Sequence, residues 1–213
     1  MGAINVLAEI EESHVLFEAL RHAGFSVYSW ESIWRLPDNT GGDRSGSNWK
    51  PPATTDSNTV RCLYQTLVPP LVQNAEPFVN NDTPRLLYRA NGDALAYVES
   101  ITGSAGVYLV PLIHPSVDDV QSLLLDLIGQ FRGQGKPVYM QVRSYQAWLS
   151  DALSELQAQP SPRFALMVKH LAVGQLNAVW DAQRARSEQR QADPSAPILN
   201  NCAGSELSSK GLK

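Results

Sequence analysis

Apolar and polar positions follow two different periods along this chain. Short apolar runs rich in β-branched or aromatic residues predict strands, and they lie at 4–10, 25–36, 85–90, 94–101, 107–113, 136–143 and 163–173. Apolar positions recur at helical spacing in the segments 13–24, 59–68, 117–131 and 148–157. Strands and helices therefore share the chain, which is typical of an α/β protein.

The order of these elements predicts a mixed sheet. Asn91-Gly92 joins two strand runs as a hairpin turn does, and the Gly- and Ser-containing segment 103–106 turns the chain once more. Strand, helix and strand then alternate from residue 107 onward, which implies at least one parallel pairing. We expect a mixed central sheet with an antiparallel meander and flanking helices.

Changes in composition divide the chain. Residues 37–58 are rich in Gly, Pro, Ser, Thr and Asp, as linkers are. The predicted divisions are a partial β-α-β unit at 1–36, a linker at 37–48, a main domain at 49–173, and a polar helix with a disordered tail at 174–213.

A weak internal repeat relates the two ends of the folded part. When the first unit is displaced by 133 residues, positions 18–20 fall on positions 151–153 and the two helices coincide without a gap. The pattern predicts a tandem repeat of which the first copy is partial. Residues 1–36 would then pack on the second domain, on another chain as in a homodimer, or on a missing N-terminal domain.

Composition and charge exclude several classes of protein. The chain has 213 residues, is 43% hydrophobic and 18% charged, and carries a net charge of −4, so it offers no basic footprint for nucleic acid. No apolar run is long enough for a membrane span, and the N-terminus is acidic where a signal peptide is basic. We expect a cytoplasmic protein that binds neither nucleic acid nor membrane.

The cysteines and histidines give no metal or disulfide pattern. Cys62 and Cys202 lie far apart in segments of different character, so two reduced thiols are expected. The histidines, at 14, 22, 114 and 170, have no metal-ligand spacing. We therefore predict no metal site.

The order of elements after the linker resembles the GCN5-related N-acetyltransferase superfamily. The resemblance covers about residues 49–173, includes the entry KPPATTDSNTV into the first helix, and extends to 4–36 as the end of a second such domain. It implies an acyl-CoA N-acyltransferase-like fold. It also implies acetyl-CoA as cofactor and acyl transfer to an amine of a small molecule or a protein.

The same resemblance places the cofactor beside the strand that precedes the central helix. The implied cofactor-binding residues are Leu109, Val110, Leu112, Ile113 and Gln146. The family's glycine-rich pyrophosphate loop is absent, because Asp118 and Asp119 stand at the start of the helix instead. Ser116 and Asp119 have the spacing of a capping box. The cofactor loop is therefore predicted to be degenerate.

Three residues are candidates for catalysis. The family's tyrosine, which acts as general acid, corresponds to Leu153, so the nearest substitutes are Tyr145, the candidate, and Tyr108, although both equally fit half-buried structural tyrosines. His114 follows the strand beside the expected cleft and has a suitable pKa for a general base, although it equally fits a turn before Pro115. Glu99 lies on a predicted central strand, as a base or as a solvent-facing carboxylate.

Two functions remain open from the sequence. The first is acyl transfer from acyl-CoA to an amine. The second is a non-catalytic scaffold, dimerisation or small-ligand module of the same fold, which the altered loop and missing tyrosine favour.

Overall fold

A nine-stranded mixed sheet forms the centre of the protein, as seen in a computed structural model that describes residues 5–37, 47–79, 83–90, 92–131 and 135–171. Most of the predicted linker and the whole predicted tail, including Cys202, lie outside the described residues.

The strands and helices agree closely with the sequence pattern. The strands are β1 (Asn5–Glu11), β2 (Ser26–Arg35), β3 (Trp49–Lys50), β4 (Arg85–Ala90), β5 (Asp93–Thr102), β6 (Val107–Ile113), β7 (Val138–Arg143), β8 (Gln159–Pro160) and β9 (Phe164–His170). The helices are α1 (Leu16–His22), α2 (Ser57–Leu67), α3 (Pro70–Ala75), α4 (Val120–Phe131) and α5 (Leu149–Glu155).

The strand order confirms the predicted fold class. The sheet runs β1-β9-β2-β7-β6-β5-β4-β3, with the short β8 paired to β2. β6 and β7 are parallel, whereas the other paired strands are antiparallel. The hairpin between β4 and β5 forms where Asn91-Gly92 predicts it, and Gly92 has the positive φ of 92° that such turns require.

Helices cover both faces of the sheet. On one face, α4 and α5 bury a core with the sheet that includes Leu127, Met140 and Leu153, each 0% exposed. On the other face, α2 and α3 pack over Tyr28, Tyr97 and residues nearby. Apolar side chains are thus removed from water on both faces of the central strands. This burial is the main force that holds the layers together.

The N-terminal unit is built into this same sheet. β2 lies between β7 and β9, and β1 pairs with the outer side of β9. Glu31 of β2 stands opposite Arg143 of β7, so the first unit supplies residues to the middle of the sheet.

The backbone of the first unit recurs in the second. At the end of α1, the N–H groups of Ala23, Gly24 and Phe25 donate to the carbonyls of Ala19, Arg21 and Leu20, respectively. The equivalent bonds at the end of α5, 133 residues later, run from Leu156, Gln157 and Ala158 to Ala152, Ser154 and Leu153. The residues that end the helices, Gly24 and Gln157, both have positive φ, 87° and 60°. The two β-α-β units therefore share one helix-ending geometry.

Candidate functional site

The parallel strands β6 and β7 meet at one end and separate at the other. They pair only from Val107 to Leu109 on β6 and from Val138 to Met140 on β7. At the joined end a Cβ on Gly106 would lie 2.5 Å from the Pro137 carbonyl oxygen, so glycine is required for this approach. Beyond Leu109 the strands form a wedge, and backbone groups there need partners other than a neighbouring strand.

Gln146 supplies those partners in the wedge. Its side-chain Oε1 accepts from the Ile113 N–H at 2.8 Å, and its Nε2 donates to the Pro111 carbonyl at 2.9 Å. The residue is 2% exposed, so both bonds are sheltered from water. The edge of β6 in the wedge thus presents one donor and one acceptor, and an amide group satisfies both.

The remaining predicted cofactor residues point to opposite faces of the sheet. Leu109 and Ile113 are 0% exposed and pack in the core under α4 and α5. Val110 and Leu112 lie on the other face and line a pocket. The alternation of side chains along β6 explains this division, which the sequence resemblance did not foresee.

This pocket has a volume of about 230 Å³ and lies between the sheet and α2 and α3. We call it the acidic pocket. Its polar lining consists of Glu76, Glu99, Arg143, Gln141 and the tyrosines Tyr64, Tyr97 and Tyr145. Because Val110 and Leu112 come from β6 and Gln141 and Arg143 from β7, the wedge and the pocket share the same walls.

Arg143 holds two carboxylates together beside the pocket. Its guanidinium lies 2.9 Å from Glu31 and 3.1 Å from Glu76, and its side chain is only 13% exposed. Burial alone would lower the pKa of Arg143, but the two carboxylates raise it. Burial raises the pKa of Glu31, although Arg143 opposes that shift.

The tyrosines of the pocket are protonated phenols. Burial raises the pKa of Tyr145 to about 12 and raises that of Tyr97 further. Tyr97 donates its hydroxyl to Glu99 at 2.7 Å. At neutral pH each phenol is therefore a hydrogen-bond donor and not a base.

Two of the predicted catalytic residues meet in this pocket and the third does not. Glu99 and Tyr145 both line it. His114 instead orders the turn after β6, because its Nδ1 accepts from the Ser116 N–H at 3.2 Å and lies 2.6 Å from the Ser116 hydroxyl oxygen. The structure thus gives His114 the turn-ordering position that the sequence left open.

The start of α4 differs from the capping box that the spacing predicts. Asp119 alone caps the helix, because its Oδ1 accepts from the Ser122 N–H at 2.9 Å. The hydrogen bonds from Ser122 lower the pKa of Asp119. Ser116 is engaged with His114 instead, so its predicted role as a cap was wrong. The Asp119 carboxylate therefore already accepts the hydrogen bond from the Ser122 N–H that a bound phosphate would need.

Sequence reasoning missed the charged centre of the site. Arg143 ends a mostly apolar strand, and Glu76 directly follows a short helix, so neither stands in a recognisable motif. A charged residue at the end of an otherwise apolar strand, beside a predicted cleft, was the only available signal.

The two ends of the wedge differ in how they suit acyl-CoA. The edge of β6 accommodates an amide, so it fits an amide of a pantetheine arm once Gln146 moves aside. The start of α4, where the pyrophosphate would lie, does not fit that group, because residues 107–131 contain Asp118 and Asp119 but no Lys or Arg. Two like charges 4 Å apart repel by about 4 kcal/mol at an effective dielectric constant of 20.

Across the described ranges, no three His, Cys, Asp or Glu residues are grouped as a metal site requires. Cys62 is an exposed free thiol. Among the helices of the described part of the chain, none is both long and apolar enough to cross a bilayer.

Comparison with known proteins finds similarity in structure only, since no family model and no curated protein matches the chain. A putative acetyltransferase of the GNAT family from Novosphingobium aromaticivorans matches with a TM-score of 0.52, 12% identity, and coverage of 79% of this chain and 75% of that one. A GCN5-related N-acetyltransferase from Sphaerobacter thermophilus matches with a TM-score of 0.50 and 11% identity. The chain has the GCN5-related N-acetyltransferase fold. The resemblance inferred from the order of elements is thereby confirmed for the fold.

The coverage of these matches varies. The Sphaerobacter match covers 78% of this chain but only 59% of that protein. A functionally unknown conserved protein from Staphylococcus epidermidis matches with a TM-score of 0.57 and 11% identity, over 78% of this chain and 73% of the other. With the acetyltransferase fold established, the activity has to be argued from the residues of the wedge and the acidic pocket.

Proposed function

We propose that this protein is an acetyltransferase-fold N-acyltransferase that transfers an acyl group from acyl-CoA to a small amine bound in the acidic pocket. One observation carries the proposal: the walls of the wedge, Val110 and Leu112 on one side and Gln141 and Arg143 on the other, are also walls of the pocket. A group held between the strands would therefore reach a molecule held in the pocket. A cytoplasmic location is part of the proposal.

The charges of the acidic pocket favour a cation. The carboxylates at and behind it are Glu9, Glu31, Glu76 and Glu99, and the guanidiniums that contact the last three belong to Arg143 and Arg85. The carboxylates outnumber the guanidiniums, which suits an ammonium group. The aromatic rings in the lining add favourable cation–π contacts of about 0.5–2 kcal/mol.

The size of the acidic pocket favours a small ligand. Its 230 Å³ correspond to about eight water molecules at ~30 Å³ each. Apart from Val110 and Leu112, the rest of the lining is apolar and consists of Val68, Val72, Pro77, Phe78 and Val79. A primary amine with a short apolar or aromatic body matches both parts of the surface.

Glu99 and Tyr145 have complementary roles in this proposal. When bound, acyl-CoA supplies the activated acyl carbon. The bound ammonium group first loses one proton to water, which frees the nitrogen lone pair, and the Glu99 carboxylate takes the second proton as the C–N bond forms. The Tyr145 phenol gives its proton to the sulfur as the C–S bond breaks, and Tyr145 then regains a proton from water.

The test combines binding with turnover. Acetyl-CoA is titrated calorimetrically into the protein, and thiol release is followed with a panel of small amines. We expect Glu99→Gln and Tyr145→Phe each to lower kcat by about 10²-fold, as loss of a general acid or base does, whereas the exposed control Ser104→Ala leaves it unchanged. Absence of acetyl-CoA binding at millimolar concentration would overturn the proposal that the protein is an acyltransferase.

A second candidate function is a non-catalytic amine-binding module, and the position of Gln146 is the observation that bears on it. This side chain already satisfies the donor and acceptor of β6 that a pantetheine arm would use. The module binds the amine panel but not acetyl-CoA, and Gln146→Ala leaves it unable to turn over. In the transferase, Gln146→Ala frees the edge of β6 and strengthens acetyl-CoA binding, so the variant separates the two functions.

A further inference from the structure

Exposed apolar side chains are concentrated at the N-terminal edge of the sheet. Val6 and Leu7 of β1 are 40% and 47% exposed and point to opposite faces of the sheet, and Val15 and Leu16 at the start of α1 are 84% and 54% exposed. Since β1 is also at the end of the sheet order, no strand of the described ranges lies beside its outer backbone groups. We call this combination the edge surface. Protein surfaces that combine an open strand with adjacent apolar side chains are sites of association.

The second β-α-β unit shows how the same geometry is covered. Leu149 of α5 stands 133 residues after Leu16 and is 0% exposed. It is buried because α4 packs against α5. The outer side of β7 is likewise paired, in parallel, with β6. A strand and the helix that follows it thus complete the second unit, and the first unit has no counterpart of either within the described residues.

α1 lies on the face of the sheet where such a helix would meet it. The ring of Phe17 in α1 contacts that of Trp30 in β2, with centroids 6.0 Å apart. Trp30 and Trp34 are four residues apart on one strand and therefore share a face. Trp34 belongs to the core under α4 and α5, so α1 is on that face too.

A second copy of this chain does not cover the edge surface well. α1 joins β1 to β2, which flank β9, so it lies over β9. In a dimer paired through β1 and β1, the two β9 strands would be three strand spacings apart, about 14 Å. Packed helices need axes about 8–10 Å apart. The two α1 helices would leave a gap above the joined strands.

We propose that the edge surface binds a strand–helix segment of another acetyltransferase-fold domain, placed as β6 and α4 are placed beside β7 and α5. The strand pairs in parallel with β1, and the helix lies over β1 with a leucine-rich face against Leu16. The occupant must therefore be an apolar strand followed by a short turn and an amphipathic helix.

The chain itself provides a probe of this chemistry. A fluorescently labelled peptide of residues 106–131, which spans β6 and α4, is titrated into the intact protein and followed by anisotropy. We expect saturable binding that Leu16→Asp weakens by at least 10-fold. The matched control Ile101→Asp alters a side chain that is 52% exposed on β5, and it leaves binding unchanged.

Hydrogen exchange locates the bound peptide. The outward amides of β1, residues 5–11, should exchange more slowly when the peptide is present. Absence of saturable binding, or equal binding to Leu16→Asp, would overturn the proposal, because exchange of the peptide with the protein's own β6 and α4 does not depend on Leu16. A homodimer that Leu16→Asp dissociates would also overturn it, in favour of a second copy.

Discussion

The two β-α-β units of this protein have the same backbone and very different surroundings. α1 and α5 are both seven residues long and end in the same hydrogen bonds. Leu149 and Leu153 of α5 are fully buried, whereas α1 has no buried residue. Local sequence therefore suffices to form the unit, and burial is decided by the elements that pack against it.

The chemistry differs between the units in the same way. The loop after β7 carries Tyr145 and Gln146 into the wedge and pocket, whereas 133 residues earlier the loop after β1 carries Glu12 and Ser13, which are exposed. A site arises in the second unit because β6 diverges from β7 beside it. The comparison shows that a shared backbone makes a site only where a neighbouring strand opens a cleft.

The largest expected effect concerns the ion pairs of the two units. Arg143→Met leaves Glu31 buried without its cation, which should cost about 3–5 kcal/mol of stability. Arg163→Met removes an exposed pair with Glu12 and a contact with the Trp30 ring, which should cost about 1 kcal/mol. Urea unfolding measures both, and equal losses would contradict the contrast in burial.

Equivalent leucines give the next largest contrast. Leu153→Ala opens a cavity in the core and should destabilise the protein by about 3 kcal/mol. Leu20→Ala, 133 residues earlier, removes a half-buried side chain and should cost about 1 kcal/mol. A loss at Leu20 as large as that at Leu153 would show that α1 is covered in solution. Sedimentation of the same samples would show whether a second copy covers it.

The helix-ending residues should respond in opposite directions. Gln157 has a positive φ that costs a side chain about 1–2 kcal/mol, so Gln157→Gly should stabilise the protein by up to about 1 kcal/mol. Gly24→Ala meets no atom closer than 3.9 Å but takes on the same backbone strain, so about 1 kcal/mol is lost. Thermal unfolding of both variants checks the signs, and a stabilising Gly24→Ala would refute the shared geometry.

The pH dependence of stability should give the smallest effect. Burial raises the pKa of Glu31, which the first unit contributes to the charged centre of the second. The folded state therefore holds more protons than the unfolded state above the ordinary glutamate pKa of ~4.3. The contribution of Glu31 to the free energy of unfolding is fully present below pH ~4.3 and is lost as the pH rises through the raised pKa of the folded state. Glu31→Gln should flatten this slope in urea titrations, and the exposed control Glu18→Gln should not.

Much of the fold could be predicted because the spacing of apolar residues within each segment indicates whether that segment is a strand or a helix. The meander, the Asn91-Gly92 hairpin and the helices follow from spacing and turn residues within a few positions. The candidate site was only partly predictable. Glu99 and Tyr145 were identified and lie in one pocket, but their partner Arg143 has no local motif. Which face Val110 takes depends on the register of β6, which neighbouring strands set.

The sequence by itself determined the elements, their order and the acidic start of α4, since these depend on residues close together in the chain. Only the tertiary structure decided that β2 enters the sheet between β7 and β9, that Glu31 and Glu76 meet at Arg143, and that Gln146 fills the wedge. The physical reason is distance along the chain: these contacts join residues 33 to 142 positions apart, where burial and pairing with neighbours outweigh local preference.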